Sequence, residues 1–314
     1  MNVVLLFPGQ GSQKPGMGKD LAATFTAAAE AFQQADAALG EPLSQLCFEG
    51  PADTLTLTHN AQPALLAHGA AVWAVTSHAL RGKVRAAAGH SLGEFTAYHA
   101  ADAIELANAI RLVRQRGSLM YESGLARPGT MAAILGDTDH PIDEICEEAS
   151  KSPEGGLVVP ANYNSPGQVV VSGEVAGVER AMELAKQAGA KRAIRLPVSG
   201  AFHSPLMQSA WQAFAQVVAH ASLTDPAVPV YANVNAAPVT RAGDARRLLI
   251  EQLTSPVRWT QLVEALVRDF PGALFVEMGP GTVLTGLMKK IAPDAECVPC
   301  GTPAEVESLL ARVA

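Results

Sequence analysis

The stretch AAAGHSLGEFTAYHA, residues 86–100, passes from small apolar residues through the pattern G-x-S-x-G into a helical sequence. A short apolar strand that ends in a glycine-flanked serine and continues as a helix is typical of the sharp turn called a nucleophile elbow. Small residues are needed on both sides because the backbones of the strand and the helix approach closely. The stretch therefore predicts either a nucleophilic Ser91 or an ordinary strand-to-helix turn with a structural serine.

The same order, an apolar run followed by a helical sequence, recurs along the chain. It occurs at VVLLF (3–7), VPVYANV (228–234) and ALFVEMG (273–279). The first run precedes an alanine-rich segment that predicts one helix over about residues 21–39. Strands that alternate with helices predict an α/β fold with a mostly parallel sheet.

Residues 128–197 follow a different pattern. Their apolar runs and turn residues predict the order β-α-β-β-α-β, which is the ferredoxin-like unit. We therefore expect a small subdomain over 128–197, inserted into a large α/β subdomain made of residues 1–127 and 198–314. A ligand is expected in the cleft between the two.

Composition narrows the possible functions. The chain has 314 residues, 48% of them hydrophobic and 17% charged, as in folded proteins. Its net charge of −7 argues against a general nucleic-acid binder, because there is no surplus of Lys and Arg to neutralise phosphates. The apolar run at 3–7 is too short for a signal peptide or for a membrane span of roughly 20 residues. We expect a cytoplasmic protein without a membrane segment.

The four cysteines do not form a convincing framework. Cys297 and Cys300 make one C-x-x-C pair, whereas Cys47 and Cys146 lie far away without a matching pair. A zinc site or disulfide framework is therefore poorly supported, and we expect inert thiols and no metal site.

Two loops offer backbone amides that could bind a developing oxyanion. One is the amide of Leu92, at the start of the helix after Ser91. The other is the amide of Gln10 in FPGQGSQ (7–13), where glycines allow close backbone approach. A phosphate-binding loop is the alternative for the second segment, but it lacks the full G-x-G-x-x-G pattern and a Walker lysine.

Among the eight histidines, His203 has the most informative context. In LPVSGAFHSPLM (196–207) it comes directly before Ser204 and Pro205, which predict the start of a helix. The positive end of that helix would keep the imidazole neutral and able to accept a proton. An ordinary loop histidine is the alternative. His90 is adjacent to Ser91 and is expected to shape the turn.

The helical segment 102–121 places an arginine beside its apolar face. That face comprises Leu106, Ile110, Val113, Gly117 and Met120. Arg116 borders it, where a guanidinium is costly without an anionic partner. Its planar fork matches a carboxylate, so Arg116 is either a receptor for a substrate carboxylate or a member of an internal salt bridge.

A set of motifs in a fixed order supports a family resemblance over nearly the whole chain. The motifs are FPGQGSQ, QPALL (62–66), GHSLGE, RLVRQRG, NYNSPGQVVVSG, AFHSPLM, PVRW (256–259) and GPGTVL. The chain resembles the malonyl-CoA:acyl-carrier-protein transacylases and the related acyltransferase domains of fatty-acid and polyketide synthases. The resemblance implies an α/β-hydrolase-like core with a ferredoxin-like insert.

The resemblance also implies residue roles. Ser91 would be the nucleophile, His203 the base, and the amides of Gln10 and Leu92 the oxyanion hole. Arg116 would bind the free carboxylate of the malonyl group. The backbone carbonyl of Gln252 would orient the histidine, in place of the acidic residue usual in such triads.

Further residues are implied as substrate contacts. Gln62, in QPALL, belongs to the implied substrate-binding set. Asn162, Lys191 and Arg192 would contact coenzyme A or the phosphopantetheine of the carrier. Phe202 belongs to the A-F-H form that is associated with malonyl selection. Asp102 departs from the family pattern, which has glycine there, and we expect it to cap the next helix.

The implied reaction is ping-pong transfer of a malonyl group from malonyl-CoA to the phosphopantetheine thiol of acyl carrier protein, for fatty-acid synthesis. Coenzyme A is then substrate and product, with no resident cofactor, and we expect a free-standing monomer. The alternatives are a stand-alone acyltransferase of polyketide synthesis or malonate decarboxylase, a serine esterase or thioesterase, and a non-catalytic docking module for carrier proteins.

Overall fold

The computed structural model describes residues 1–153 and 155–314. Within them the helices and strands are β1 Val3–Phe7, α1 Lys19–Thr24, α2 Thr26–Leu39, α3 Leu43–Glu49, α4 Ala52–Thr56, α5 Thr58–Leu80, β2 Val84–Gly89, α6 Gly93–Ala100, α7 Leu106–Ala126, β3 Thr130–Leu135, α8 Ile142–Lys151, β4 Val158–Ser165, β5 Gln168–Gly173, α9 Val175–Gln187, β6 Arg192–Arg195, a 3-10 turn Pro205–Met207, α10 Gln208–Ala219, β7 Val230–Tyr231, β8 Pro238–Val239, α11 Ala242–Glu251, α12 Trp259–Asp269, β9 Leu274–Met278, α13 Val283–Ile291, β10 Cys297–Cys300 and α14 Pro303–Val313.

The larger sheet has the strand order β10-β9-β1-β2-β7-β8. Neighbouring strands are parallel from β10 to β7, and β8 is antiparallel to β7. All five residues of β1 are buried, as expected of a central parallel strand covered on both faces. Val3, Leu5 and Phe7 pack into one core cluster, and Val4 and Leu6 into another on the opposite face. The prediction of an α/β fold with a mostly parallel sheet is confirmed.

The smaller sheet is antiparallel, with the order β4-β5-β3-β6. Helices α8 and α9 cover one face, where Ile134, Ile145 and Val178 share a core cluster. Residues of the other face, among them Met131 and Val170, belong to the main core. That face therefore packs toward the larger sheet.

Main-chain hydrogen bonds join the smaller sheet to the segment before α12. The Tyr163 N–H donates to the Val257 carbonyl at 2.9 Å, and the Val257 N–H donates to the Ala161 carbonyl at 2.8 Å. Strand β4 and this segment form a short parallel bridge at Asn162 and Val257. These bonds hold one wall of the site described below.

Some local expectations were wrong. The segment 21–39 is two helices, because Phe25 is extended with φ −121° and interrupts them. Asp102 does not cap a helix: it has φ 59°, a left-handed conformation that glycine adopts most easily, and it pairs with Arg81 at 2.5 Å. Helix α7 begins four residues later.

All four cysteines carry free thiols, and Cys47, Cys146 and Cys300 are buried. Among the described residues, no helix combines the length and the apolar character that crossing a bilayer would require.

Candidate active site

The turn between β2 and α6 is a tight elbow that only glycine permits. A Cβ atom on Gly89 would lie 1.9 Å from the carbonyl carbon of Gly93, and one on Gly93 would lie 2.1 Å from the Phe7 oxygen. Ser91, at the tip, has φ 51°. Asn233 ties the turn down, since its Oδ1 accepts from the Ser91 N–H at 2.7 Å and its Nδ2 donates to the Gly89 carbonyl at 2.7 Å.

The hydroxyl of Ser91 meets the imidazole of His203. Ser91 Oγ lies 2.8 Å from His203 Nε2, and His203 Nδ1 lies 2.8 Å from the main-chain oxygen of Gln252. A carbonyl oxygen only accepts, so Nδ1 carries the proton and Nε2 is left to accept the serine proton. Ser204 caps the turn after His203 by accepting from the Leu206 N–H, as the sequence predicts.

The environment of His203 keeps its ring neutral. Burial, and then the nearby charge of Arg116, lower the pKa of His203 to about 3, although the hydrogen bond to Gln252 opposes this. A neutral imidazole at physiological pH is a general base that is free to take a proton.

Arg116 is buried, with 1% of its surface exposed, and its fork is held by neutral groups. Nη1 donates to Gln62 Oε1 at 2.7 Å, and Nη2 donates to Gln252 Oε1 at 2.8 Å and to Ser91 Oγ at 3.2 Å. In the described part of the chain it forms no ion pair with a carboxylate within 4.0 Å. Burial lowers the pKa of Arg116 to about 10, so it is a cation at neutral pH. A buried cation therefore lies beside the hydroxyl of Ser91.

A cavity of about 390 Å³ opens over Ser91. Eight of the residues proposed from sequence line it: Gln10, Gln62, Ser91, Leu92, Arg116, Asn162, Phe202 and His203. The rest of the lining includes His90, Met120, Met131 and residues 196–198. The cavity lies between the two sheets, and the hydroxyl of Ser91, the imidazole of His203 and the guanidinium of Arg116 all border it.

The two amides expected to bind an oxyanion have no competing acceptor. Within residues 1–153 and 155–314, neither the Gln10 nor the Leu92 N–H donates to a protein group. A hydrogen bond fixes the side chain of Gln10, because its Oε1 accepts from Thr58 Oγ1 at 2.5 Å. Both N–H groups are thus available to a ligand oxygen.

Lys191 and Arg192 do not reach the cavity. Both are exposed, at the start of β6, whereas the chain enters the cavity lining at Leu196, after the strand ends. Arg192 precedes Leu196 by four residues, which is about 13 Å at 3.3 Å per residue, and Lys191 is one residue further away. A contact with a ligand phosphate at these side chains stays a prediction.

Sequence reasoning missed two buried polar residues that support the site. Glu94 accepts from the Gln252 side chain and from the Asn233 N–H. Glu94 stands in GHSLGE, and Asn233 stands near the end of VPVYANV. For Asn233 the available signal was an amide side chain in a mostly apolar run, and for Glu94 it was an acid three residues after the elbow serine. No group of three or more metal-ligating side chains occurs in the part of the chain that the structure describes.

Comparison with known proteins agrees with this geometry. The family model for the acyl transferase domain matches residues 4–302. The malonyl CoA-acyl carrier protein transacylase of Bacillus subtilis is 44% identical over 312 residues, which is 97% of this chain and 95% of that protein. The protein of the same name from Salmonella typhimurium is 43% identical, over 98% of each chain.

Solved structures of related proteins are also similar to this chain. The acyl-carrier-protein-S-malonyltransferase of Bartonella henselae has a TM-score of 0.94 at 43% identity, over 100% of this chain and 99% of that one. A malonyl-transacylase in complex with a type II PKS acyl-carrier protein has a TM-score of 0.93 at 40% identity, over 99% of this chain and 100% of that one. The match over nearly all of the chain, with the elbow, the histidine and the arginine in one cavity, establishes that this chain belongs to the acyl transferase domain family.

Proposed function

We propose that this chain transfers a malonyl group from malonyl-CoA to the phosphopantetheine thiol of an acyl carrier protein, through a malonyl ester of Ser91. The observation that carries the proposal is the buried Arg116, whose guanidinium has only neutral partners and lies 3.2 Å from the nucleophile. A free carboxylate on the acyl group is the anion that such a fork recognises. The names of the curated relatives support the same substrate pair.

In the first half-reaction, His203 Nε2 takes the proton from Ser91 Oγ as the oxygen attacks the thioester carbonyl. The amide N–H groups of Gln10 and Leu92 would stabilise the oxyanion. The C–S bond then breaks, and the imidazolium returns the proton to the leaving sulfur of coenzyme A. The product is the malonyl ester of Ser91.

The second half-reaction runs the same chemistry with a different thiol. His203 takes the proton of the phosphopantetheine thiol as its sulfur attacks the ester carbonyl, and the Ser91 oxygen leaves with that proton. Arg116 holds the carboxylate end of the acyl group throughout, which orients the carbonyl and favours the thiol over water. Gln252 keeps His203 aligned through its main-chain oxygen.

The proposal includes a division into two subdomains. Residues 1–127 and 198–314 form an α/β-hydrolase-like unit, and residues 128–197 form a ferredoxin-like insert. The strand order β4-β5-β3-β6, with α8 and α9 on one face, supports the insert. A role in fatty-acid synthesis, a cytoplasmic location, a monomeric state and the absence of a resident cofactor remain predictions.

A second candidate is transfer to a carrier of polyketide synthesis. It is favoured by the similarity to the malonyl-transacylase that was solved with a type II PKS acyl-carrier protein. The two candidates share the site and the first half-reaction, and comparing kcat/KM for the two kinds of carrier protein separates them.

The test is to incubate the protein with malonyl-CoA and to measure its intact mass. We expect one malonyl adduct on the natural protein and on Ser12→Ala, and none on Ser91→Ala. Ser12 is a serine control from the loop that carries Gln10, but it does not line the cavity. Adding a holo acyl carrier protein should remove the adduct much faster than water does. Faster loss to water would indicate an esterase or thioesterase, and no adduct would indicate a docking module.

A further inference from the structure

Glu94 is a buried acid that the reaction scheme above does not use. It lies in the first turn of α6, three residues after Ser91, and none of its surface is exposed. Its Oε2 accepts from Gln252 Nε2 at 2.7 Å and from the Asn233 N–H at 3.0 Å, while its Oε1 has no partner among the described residues. Burying a carboxyl group costs free energy, which hydrogen bonds to the group offset.

The side-chain amide of Gln252 lies between Glu94 and Arg116. Its Nε2 donates to Glu94 Oε2, and its Oε1 accepts from Arg116 Nη2 at 2.8 Å. The reversed amide would turn its NH2 group toward a guanidinium, which only donates, and its oxygen toward an acceptor. Glu94 and Arg116 therefore select the same orientation of Gln252 from opposite sides.

Gln252 connects this orientation to both parts of the catalytic arrangement. Its side-chain oxygen holds the Arg116 fork, and its main-chain oxygen accepts from His203 Nδ1. Its Nε2 also donates to the Ser91 carbonyl at 3.1 Å, which ties it to the elbow. A shift of Gln252 would therefore displace both the Arg116 guanidinium and the His203 imidazole.

We propose that Glu94 is a positioning residue for acyl selection: by accepting from Gln252 Nε2 it fixes the amide that holds Arg116 in place to receive the substrate carboxylate. This inference rests on the proposed function. The role requires an acceptor at Oε2. Burial raises the pKa of Glu94 to about 7, and a proton on the unpartnered Oε1 leaves Oε2 able to accept.

The experiment compares kcat/KM for malonyl and for acetyl transfer from the two CoA thioesters. Glu94→Gln keeps an oxygen acceptor, because Gln252 Nε2 and the Asn233 N–H both favour oxygen at the Oε2 place. We expect its malonyl-to-acetyl ratio to stay within about threefold of the natural protein. Glu94→Ala should lower the ratio by about tenfold or more, as expected for losing a hydrogen bond that positions a charged group.

A double-variant comparison tests whether Glu94 acts through Gln252. Gln252→Met removes the amide but keeps the main-chain carbonyl for His203. In that background Glu94→Ala should change the ratio no further, because the group it positions is gone. Glu277→Ala is the matched control, since Glu277 is another buried acid, it accepts from the Leu284 and Thr285 N–H groups, and it is not part of the cavity lining.

The outcomes are distinct. An unchanged ratio in folded Glu94→Ala, an equal loss in Glu94→Gln, or an additive loss in the double variant overturns the inference. If Glu94→Ala does not fold, Glu94→Asp replaces it, because the shorter side chain withdraws the acceptor from Gln252. Failure of the natural protein to form any malonyl adduct would contradict the proposed function instead, before any variant is compared.

Discussion

At the residue scale, the proposed acyl specificity depends on Arg116. It is a buried cation whose hydrogen bonds go to Gln62, Gln252 and Ser91, all of them neutral. The sequence left open an internal salt bridge as the alternative, and no such bridge occurs in the described residues. No carboxylate therefore neutralises the guanidinium by direct pairing, although the nearby charge of Glu94 raises the pKa of Arg116.

Replacing Arg116 by alanine should abolish the preference for malonyl over acetyl groups. Removing one partner of a buried charge pair costs about 2–5 kcal/mol, or roughly 30-fold or more in kcat/KM for malonyl-CoA. Acetyl transfer, which has no carboxylate to bind, should be retained or increased. The measurement is the rate of acyl-Ser91 formation from each thioester, and an unchanged preference for malonyl-CoA would refute the carboxylate receptor.

Phe202 narrows the cavity near the nucleophile. It lines the cavity and is mostly buried, so a smaller side chain would leave room beside the α-carbon of the acyl group. Phe202→Ser should therefore raise kcat/KM for methylmalonyl-CoA relative to malonyl-CoA by about 10-fold, since one methyl group in a pocket is worth about 1–3 kcal/mol. Competition between the two thioesters measures this, and an unchanged ratio would show that Phe202 does not restrict that space.

His203 should make the protein less stable in acid. Its pKa is about 3 in the folded state and near the ordinary 6.5 in the unfolded chain, so only the unfolded state gains this proton as the pH falls below 6.5. The contribution is fully present above pH 6.5 and is lost at about 1.4 kcal/mol per pH unit below it.

The variant His203→Asn tests whether His203 causes this loss of stability in acid. Asparagine tolerates the positive φ of 56° at this position and cannot titrate. Between pH 6.5 and 5.0, the free energy of unfolding should fall by about 2 kcal/mol less in the variant than in the natural protein. Denaturant unfolding at the two pH values measures the difference, and equal losses in both proteins would contradict the assignment.

At the scale of elements, the elbow between β2 and α6 depends on main-chain contacts. Gly93→Ala would place a Cβ atom 2.1 Å from the Phe7 oxygen, which belongs to a central strand and cannot move alone. We expect it to lower the free energy of unfolding by about 3 kcal/mol or more and to abolish acylation of Ser91.

Gly286 is the matched control for that prediction. It lies inside α13, and a Cβ atom added there would have no neighbour within 4 Å. Gly286→Ala should raise the free energy of unfolding by about 0.5–1 kcal/mol, because alanine favours helix and restricts the unfolded chain. Denaturant unfolding of both variants gives the comparison, and equal effects would show that the contact at Gly93 is not decisive.

At the scale of the whole molecule, the active cavity lies between two sheets, while Lys191 and Arg192 lie outside it on the smaller one. If these side chains contact the carrier or coenzyme A, they do so outside the cavity through their charges. Replacing both by glutamate should then raise KM for the acyl donor or the carrier several-fold at low salt, with kcat and acyl selectivity unchanged. The effect should fade near 1 M salt, where the Debye length is about 3 Å. No change at low salt would remove both residues from the binding set.

Local sequence was sufficient to determine the alternation of strands and helices, the elbow around Ser91 and the capped turn after His203. These features depend on residues near one another in the chain, namely small residues at a tight turn, apolar runs and an N-cap serine. Only the tertiary structure decided that Arg116 has neutral partners, that Lys191 lies outside the cavity, and that Glu94 and Gln252, 158 residues apart, share a hydrogen bond. Such contacts depend on how the two sheets pack against each other. Packing brings together side chains that are distant in the sequence, so their spacing along the chain does not predict the contact.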